Sequence, residues 1–263
     1  MRMKWICTFI LLCLFTFLLD AQRLTFKSNN NYLAPDNPTS IITNGLLLYL
    51  NASVYSGSGT TWKDLSPLQN NATIVSTPTY FTNPPSISFG NGQYATTAIN
   101  NLSFTKPSAT FIVWINPSQT QARWTGIVFN RRPNGNPPSQ VPATGINLFD
   151  NNAVGYHWND APNTYNWNSG LSAPNNAWSM IAITINASSA TAYLCNASGI
   201  RSAINNVANP ALSNLNFYIA CDPYSLASRV FVGKIGIAMI YSTTLTSAEI
   251  TSTFNAQKGY FGL

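Results

Sequence analysis

The sequence predicts an all-β fold, a two-sheet antiparallel jelly-roll sandwich, and three observations carry that prediction. Short apolar runs recur along the chain with turn signals between them, no stretch shows a long helical period, and nothing in the 263 residues marks a linker between two cores. Strands are expected at 45–50, 87–89, 94–98, 110–115, 126–129, 145–149, 153–158, 179–185, 190–195, 217–220 and 229–241. Asn91-Gly92, Asn134-Gly135, Pro84-Pro85 and Pro137-Pro138 mark reversals or positions that cannot donate to a ladder. The longest irregular loop covers 130–144.

The last thirty or so residues organise the rest. Large side chains at Ile235, Ile237, Met239 and Tyr241 alternate with Gly236 and Ala238, which predicts a strand with one well-filled face. Thr246-Ser247-Ala248-Glu249 then has the spacing of a capping box, with Leu245 and Ile250 at the staple positions. Ile250 and Phe254 give the ensuing short helix one apolar stripe, and Gly259 is expected to supply the left-handed residue that stops it. Glu249, the only glutamate in the chain, is thereby read as a cap rather than a catalyst.

Three segments are expected: 1–21, a signal peptide or signal anchor; 22–44, a polar tether; and one domain over 45–263. Arg2 and Lys4 precede fifteen uncharged residues, Trp5 to Leu19, and Ala21 offers only a poor small-residue cleavage site. Retention is favoured over cleavage, which predicts a membrane-associated protein on a virion or cell surface, its N-terminus facing the cytosol.

Charge and cysteine usage exclude several classes. Without Arg2, Lys4 and Asp20 the chain keeps 11 basic and 6 acidic residues, and the positives are scattered in sequence with Arg131-Arg132 the only pair. No basic stripe follows a phosphate backbone, so nucleic acid is not an expected partner. His157 is the only histidine, and no nucleophile stands near it in a recognisable setting. Cys7 and Cys13 lie in the apolar N-terminal run, which leaves Cys195 and Cys221 as candidates for a disulfide if the domain is exported. Sequons stand at Asn51, Asn71, Asn101, Asn186 and Asn196 and are usable only in a secretory lumen.

Two ends of the chain carry a resemblance. Gly45-Leu46-Leu47-Leu48-Tyr49-Leu50, Thr61-Trp62-Lys63-Asp64-Leu65-Ser66 and Asn70-Asn71-Ala72-Thr73 open the domain, and Gly233-Lys234-Ile235-Gly236, Ile240-Tyr241, Ala248-Glu249-Ile250 and Phe254-Asn255-Ala256 close it. Phe111–Ile115 and Trp178–Ala182 stand where two central strands belong. Together these resemble laminin-G-like domains of the concanavalin A-like lectin/glucanase superfamily, over 45–263, and are similar to structural proteins of phages and large DNA viruses. The resemblance implies a concanavalin A-like jelly roll that binds glycans or proteins and cleaves glycans only in some branches. It also implies a calcium ion at the sandwich rim, for which Asp150, Asp160 and Asp222 are the candidate ligands against a bland reading as turn caps. No other cofactor is expected.

Glycan hydrolysis needs two carboxylates across the scissile bond, and the Glu-x-Asp-x-Glu run of the glucanase branches does not occur here. Asp64, before a Leu-Ser-Pro turn, reads as an end-of-strand hydrogen-bond acceptor. Tyr156, Trp158, Tyr165 and Trp167, around His157, form the candidate ligand surface, since aromatic faces suit sugar rings and proteins alike. Their competing reading is packing: Tyr156 and Trp158 point the same way on one strand, beneath the loop carrying Trp167. The leading expectation is a non-catalytic, membrane-tethered structural component of a particle or surface assembly, with coat proteins as partners. A lectin-like glycan binder is the alternative and a glycan hydrolase the remote one.

Overall fold

A computed structural model describes residues 41–97, 103–104, 106–131, 143–213 and 216–263. They fall within one compact unit, Ser40–Leu263. Two antiparallel sheets face each other across an apolar core. The larger sheet has the order β14 (Gly199–Asn205), β13 (Ala190–Asn196), β12 (Ser179–Ile185), β8 (Ala109–Pro117), β17 (Gly233–Tyr241), β5 (Pro85–Phe89), β4 (Thr79–Thr82), with β1 (Leu46–Asn51) also on β17. The smaller has the order β11 (Val154–His157), β10 (Thr144–Leu148), β9 (Thr125–Asn130), β16 (Phe217–Ile219), β6 (Tyr94–Thr97), β3 (Ala72–Val75), β2 (Thr61–Trp62). β7 (Ser103–Phe104) and β15 (Leu212–Ser213) form a separate two-stranded ribbon.

The expected jelly-roll sandwich is the observed fold, and each expected strand is present, β17 beginning later than the alternation suggested. Six segments without a strong apolar alternation also form strands: β2, β3, β4, β7, β15 and the edge strand β14. β14 is exposed along most of its length, so no buried face imposes a period on it.

β17 departs from the expected single well-filled face. Its register against β8 shifts between Ile235 and Ile237, so Gly236 is an extra residue that reverses the side-chain alternation. Ile235, Ala238 and Ile240 therefore enter the inter-sheet core, while Ile237, Met239 and Tyr241 turn to the opposite face. That face also carries Ile112 and Trp114 from β8 and Met180 and Ala182 from β12, so something apolar must cover it.

The cover is the C-terminal helix, Ser247–Gln257, which buries Ile250 and Phe254. Its capping box is complete: Glu249 N donates to Thr246 Oγ1 (3.2 Å) and Thr246 N donates to Glu249 Oε2 (2.7 Å). The expected stop at Gly259 is displaced, because the chain tightens into a 3-10 turn over Lys258–Phe261 and the left-handed residue is Gly262, at φ 75°. The extra turn delivers Phe261 onto Trp114, ring centroids 4.2 Å apart, and over Gly236, where a Cβ would lie 2.5 Å from Phe261 Cε1. Trp114 Nε1 donates to Gln257 Oε1 (2.6 Å), which fixes the same contact from the polar side.

Asp64 acts as expected. Its oxygens accept from Tyr49 N, Ser66 N, Ser66 Oγ and Asn70 N, tying the opening strand to the turn that follows β2. The end of the expected tether is also structured, with Ile41 and Ile42 packed against the outer apolar cluster.

Among the described residues no helix is long and apolar enough to cross a membrane. The expectation of a membrane-associated virion or surface protein is corrected accordingly: the segment 1–21 on which it rested lies outside the described residues, and nothing described supplies a span.

Glu249→Ala removes one half of the capping box and should lower stability by about 0.5–2 kcal/mol. Thermal melting checks this, and an unchanged midpoint would assign the helix's docking to its apolar stripe alone.

Candidate functional site

The outer face of the smaller sheet, at its β9–β10–β11 end, is where polar and aromatic side chains gather. Inward positions on these strands, Ile146, Leu148, Val154 and Tyr156, belong to the core, so strand alternation turns Asn147, Gly155 and His157 outward. Gly126 on β9 lets the segment after β16 approach this face, since a Cβ there would lie 2.2 Å from the Asp222 amide nitrogen. Asp222 arrives with a fully buried carboxylate.

Two guanidinium groups neutralise it. Arg229 Nη1 lies 2.8 Å from Asp222 Oδ2 and Arg131 Nε 3.2 Å from Asp222 Oδ1. Arg131 reaches further, with Nη2 3.1 Å from Asp160 Oδ1 and 3.3 Å from His157 Nδ1. Nδ1 also lies 3.5 Å from Asp160 Oδ1, which leaves Nε2 as the other polar atom of the imidazole. That atom is buried and has no hydrogen-bond partner.

Rings and cations then alternate around the face. Arg229 lies over Trp124 (4.9 Å) and Tyr224 (4.2 Å), and Arg131 over Tyr224 (5.3 Å) and Phe129 (5.6 Å). Phe129 meets His157 edge-on (4.8 Å), His157 stacks on Tyr165 (5.5 Å), and Tyr165 returns to Trp124 (6.4 Å). The circuit closes on itself. Each such cation–ring contact is worth roughly 0.5–2 kcal/mol, more as water is excluded. Arg123 extends it outward, over Trp124 (4.7 Å) and Phe149 (5.4 Å).

Backbone strain concentrates here. Trp124 (φ 65°), Asn159 (56°), Asp160 (49°) and Ala220 (70°) are all left-handed. Asn and Asp tolerate this region, whereas a tryptophan in it costs on the order of 1–3 kcal/mol that the surroundings must hold down. The return is position: Trp124 Nε1 donates to Tyr165 O at 3.0 Å, which fixes the indole between the two arginines.

The expected aromatic surface is half corrected. Tyr156 and Trp158 are fully buried in the core, with Trp158 Nε1 donating to Pro210 O, so neither offers a face to a ligand. Trp167 packs against that core and meets Tyr156 edge-on, as the packing reading had it. Tyr165 does belong to the site, joined by Trp124, Tyr224, Arg123, Arg131 and Arg229, which sequence reading left among scattered positives. The adjacent pair Arg123-Trp124 was the available signal.

The calcium expectation is corrected too. Asp160 and Asp222 are spent on arginines, Asp150 is an exposed turn residue, and among the described residues no three of His, Cys, Asp or Glu converge to hold a metal. A calcium ion wants six to eight oxygens, and a cluster whose carboxylates are paired to Arg131 and Arg229 does not fit it. The disulfide expectation is likewise overturned: Cys195 and Cys221 are both buried and free, one on β13 of the larger sheet and the other just after β16 of the smaller. Burial pushes the Cys195 thiol up to about 12. Of the sequons, Asn51 and Asn196 are buried, Asn71 and Asn186 are exposed, and Asn101 lies outside the described residues.

Burial lowers the pKa of His157, against the opposing pull of Asp160. The Asp160 carboxyl is held below the usual range by its contact with His157 and then by Arg131. The unfolded chain takes up a proton near pH 6.5, whereas folded His157 does so only at lower pH, so acid shifts the balance toward unfolding. Melting temperature should therefore fall as pH drops from 7 to 5. Because His157 is the only histidine, His157→Asn should flatten that segment of the curve, and an equal slope in both proteins would assign the loss elsewhere. Asp160 contributes at lower pH, its stabilisation being lost as pH falls through its depressed pKa.

A family model described as concanavalin A-like lectin/glucanases superfamily matches residues 89–251. No curated protein matches the chain. Among solved structures, a Trypanosoma rangeli sialidase in complex with the inhibitor DANA is 17% identical with a TM-score of 0.57, covering 84% of this chain and 34% of the sialidase. Domain 4 of AbnA, an extracellular arabinanase from Geobacillus stearothermophilus in complex with arabinotriose, is 14% identical with a TM-score of 0.56, covering 80% of this chain and 98% of that domain. The botulinum neurotoxin serotype D binding domain is 13% identical with a TM-score of 0.57, covering 82% of this chain and 53% of that domain. The chain thus spans about a third of the sialidase, and these likenesses show the fold. With the family model covering more than half of its length, the chain belongs to the laminin-G-like branch of the concanavalin A-like lectin/glucanases superfamily.

Proposed function

We propose that this chain is a non-catalytic carbohydrate-binding module whose site is the ring of arginines and aromatics on the outer face of the smaller sheet. The observation that carries the proposal is the accessible part of that ring: Tyr224 is 47% exposed, Trp124 and Tyr165 are partly exposed, and Arg123 is exposed. Sugars present apolar C–H faces and hydroxyl edges, and a surface alternating flat rings with guanidinium donors meets both. Because the rings are pinned by cations and by the strained Trp124, little side-chain freedom is lost on binding.

Support also comes from the structural neighbours. The arabinanase domain was solved with arabinotriose, and a botulinum neurotoxin binding domain 13% identical to this chain was solved with a sialylated ligand, SialylT. The expected structural role in a particle rested on resemblance of the chain's two ends, and no observation at the site favours coat proteins over glycans.

The acid inventory supports the absence of catalysis. Among the described acids, Asp160 and Asp222 are each paired to arginine, Asp64 is spent on backbone and hydroxyl donors, Glu249 caps a helix, and Asp150 stands in an exposed turn. A glycosidase needs one carboxyl raised in pKa to act as acid, whereas Asp160 is lowered.

On a glycan array the full chain should bind a restricted set of sugars, and Tyr224→Ala should weaken the strongest of these by about tenfold or more while the variant, having lost two cation–ring contacts, still unfolds cooperatively at a somewhat lower temperature. Array silence, or binding indifferent to both Tyr224→Ala and Trp124→Ala, would remove the reading. Release of reducing sugar would convert it to an enzyme.

A further inference from the structure

Arg131 and Arg229 are neutralised within the protein, but Arg123 is not. It has no carboxylate within ion-pair distance among the described residues, and its polar contact is a 3.3 Å hydrogen bond from Nη2 to Asn166 Oδ1. The group is nonetheless held: its guanidinium lies over the indole of Trp124 and within reach of the Phe149 ring, while Asn166 fixes one end. A guanidinium oriented by its faces keeps its N–H edge for a partner, and only one of its five donors is spent on Asn166.

The surrounding charge has the same sense. Three arginines stand here against two aspartates, and both aspartates are committed to the other two arginines. An anion arriving at Arg123 therefore meets a face on which arginines outnumber the aspartates paired to them, the exposed Asp150 in the turn after Phe149 lying beyond ion-pair distance of the described arginines.

Resting on the glycan-binding reading of this face, we infer that its ligand is an acidic sugar, and that Arg123 is the residue that selects for its carboxylate. The planar fork of a guanidinium matches a carboxylate through two parallel hydrogen bonds, a geometry that a hydroxyl does not reproduce. Trp124 and Tyr224 then lie beside the sugar ring that carries the acid. The selectivity resides in one exposed residue, while the paired arginines maintain the platform.

A double-mutant cycle tests this, with glycans bearing a uronic or sialic carboxylate and the same glycans as methyl esters, against the wild-type chain and Arg123→Gln. Esterification should weaken binding to the wild type by about tenfold to a hundredfold and change binding to Arg123→Gln little, and Arg123→Lys should recover only part of the loss. Raising salt should weaken the acid and not the ester. Equal binding of acid and ester by the wild type overturns the inference while leaving the glycan reading in place. Binding confined to sulfated glycans also overturns it, and absence of binding to any glycan removes the reading along with it.

Discussion

The structure depends on a strand that has no solvent side. β17, like β8 and β12 beside it, is buried on both faces along almost all of its length, and the bulge at Gly236 is what divides its large side chains between them. One set closes the inter-sheet core; the other, with Trp114 and Met180, would be an exposed apolar surface of the kind that drives aggregation were it left open. The C-terminal helix and its 3-10 extension exist to cover it. Gly236 serves twice, as the bulged residue and as the bare spot into which Phe261 fits.

Most of this was legible in the sequence because its causes are local. A capping box and the apolar stripe of the helix behind it act within a few residues, and both formed as their spacing requires. The illegible parts had non-local causes. No pattern within 233–241 announces that the alternation reverses at Gly236, because the bulge is a relation between β17 and β8. The chain stays wound past Gly259, as a 3-10 turn, because the contact that ends it, Phe261 on Trp114, is remote in sequence. β14 escaped notice because an exposed edge strand answers to no buried face.

The site was less legible than the fold for the same reason. Arg123 and Arg131 flank β9 while Arg229 is far from both in sequence, and their convergence follows from β9, the turn before it and the loop after β16 meeting on one face. The aromatic cluster at 156–167 was visible, but strand alternation sends Tyr156 and Trp158 into the core, and Tyr165, on the one-turn helix beyond β11, joins His157 on the outer face. A strand places its neighbours on opposite sides, so a run of aromatics in sequence seldom makes a single surface.

The buried carboxylate of Asp222 explains why the arginines can be arranged as they are. Three guanidinium groups crowded on one face repel one another, and a low dielectric magnifies that repulsion. Setting Asp222 between two of them, with each oxygen facing one arginine, replaces repulsion by attraction, although removing a charge from water costs several kcal/mol that its ion pairs must offset. The Tyr224 amide adds a donor to the same carboxylate at 3.0 Å, so the most exposed ring of the site is anchored to its most buried charge. Rigidity of the accessible surface thus originates beneath it. The rings are held at fixed separations by cations that are themselves fixed by acids, which leaves Arg123, outside this closed circuit of charge, as the group whose pairing is still open.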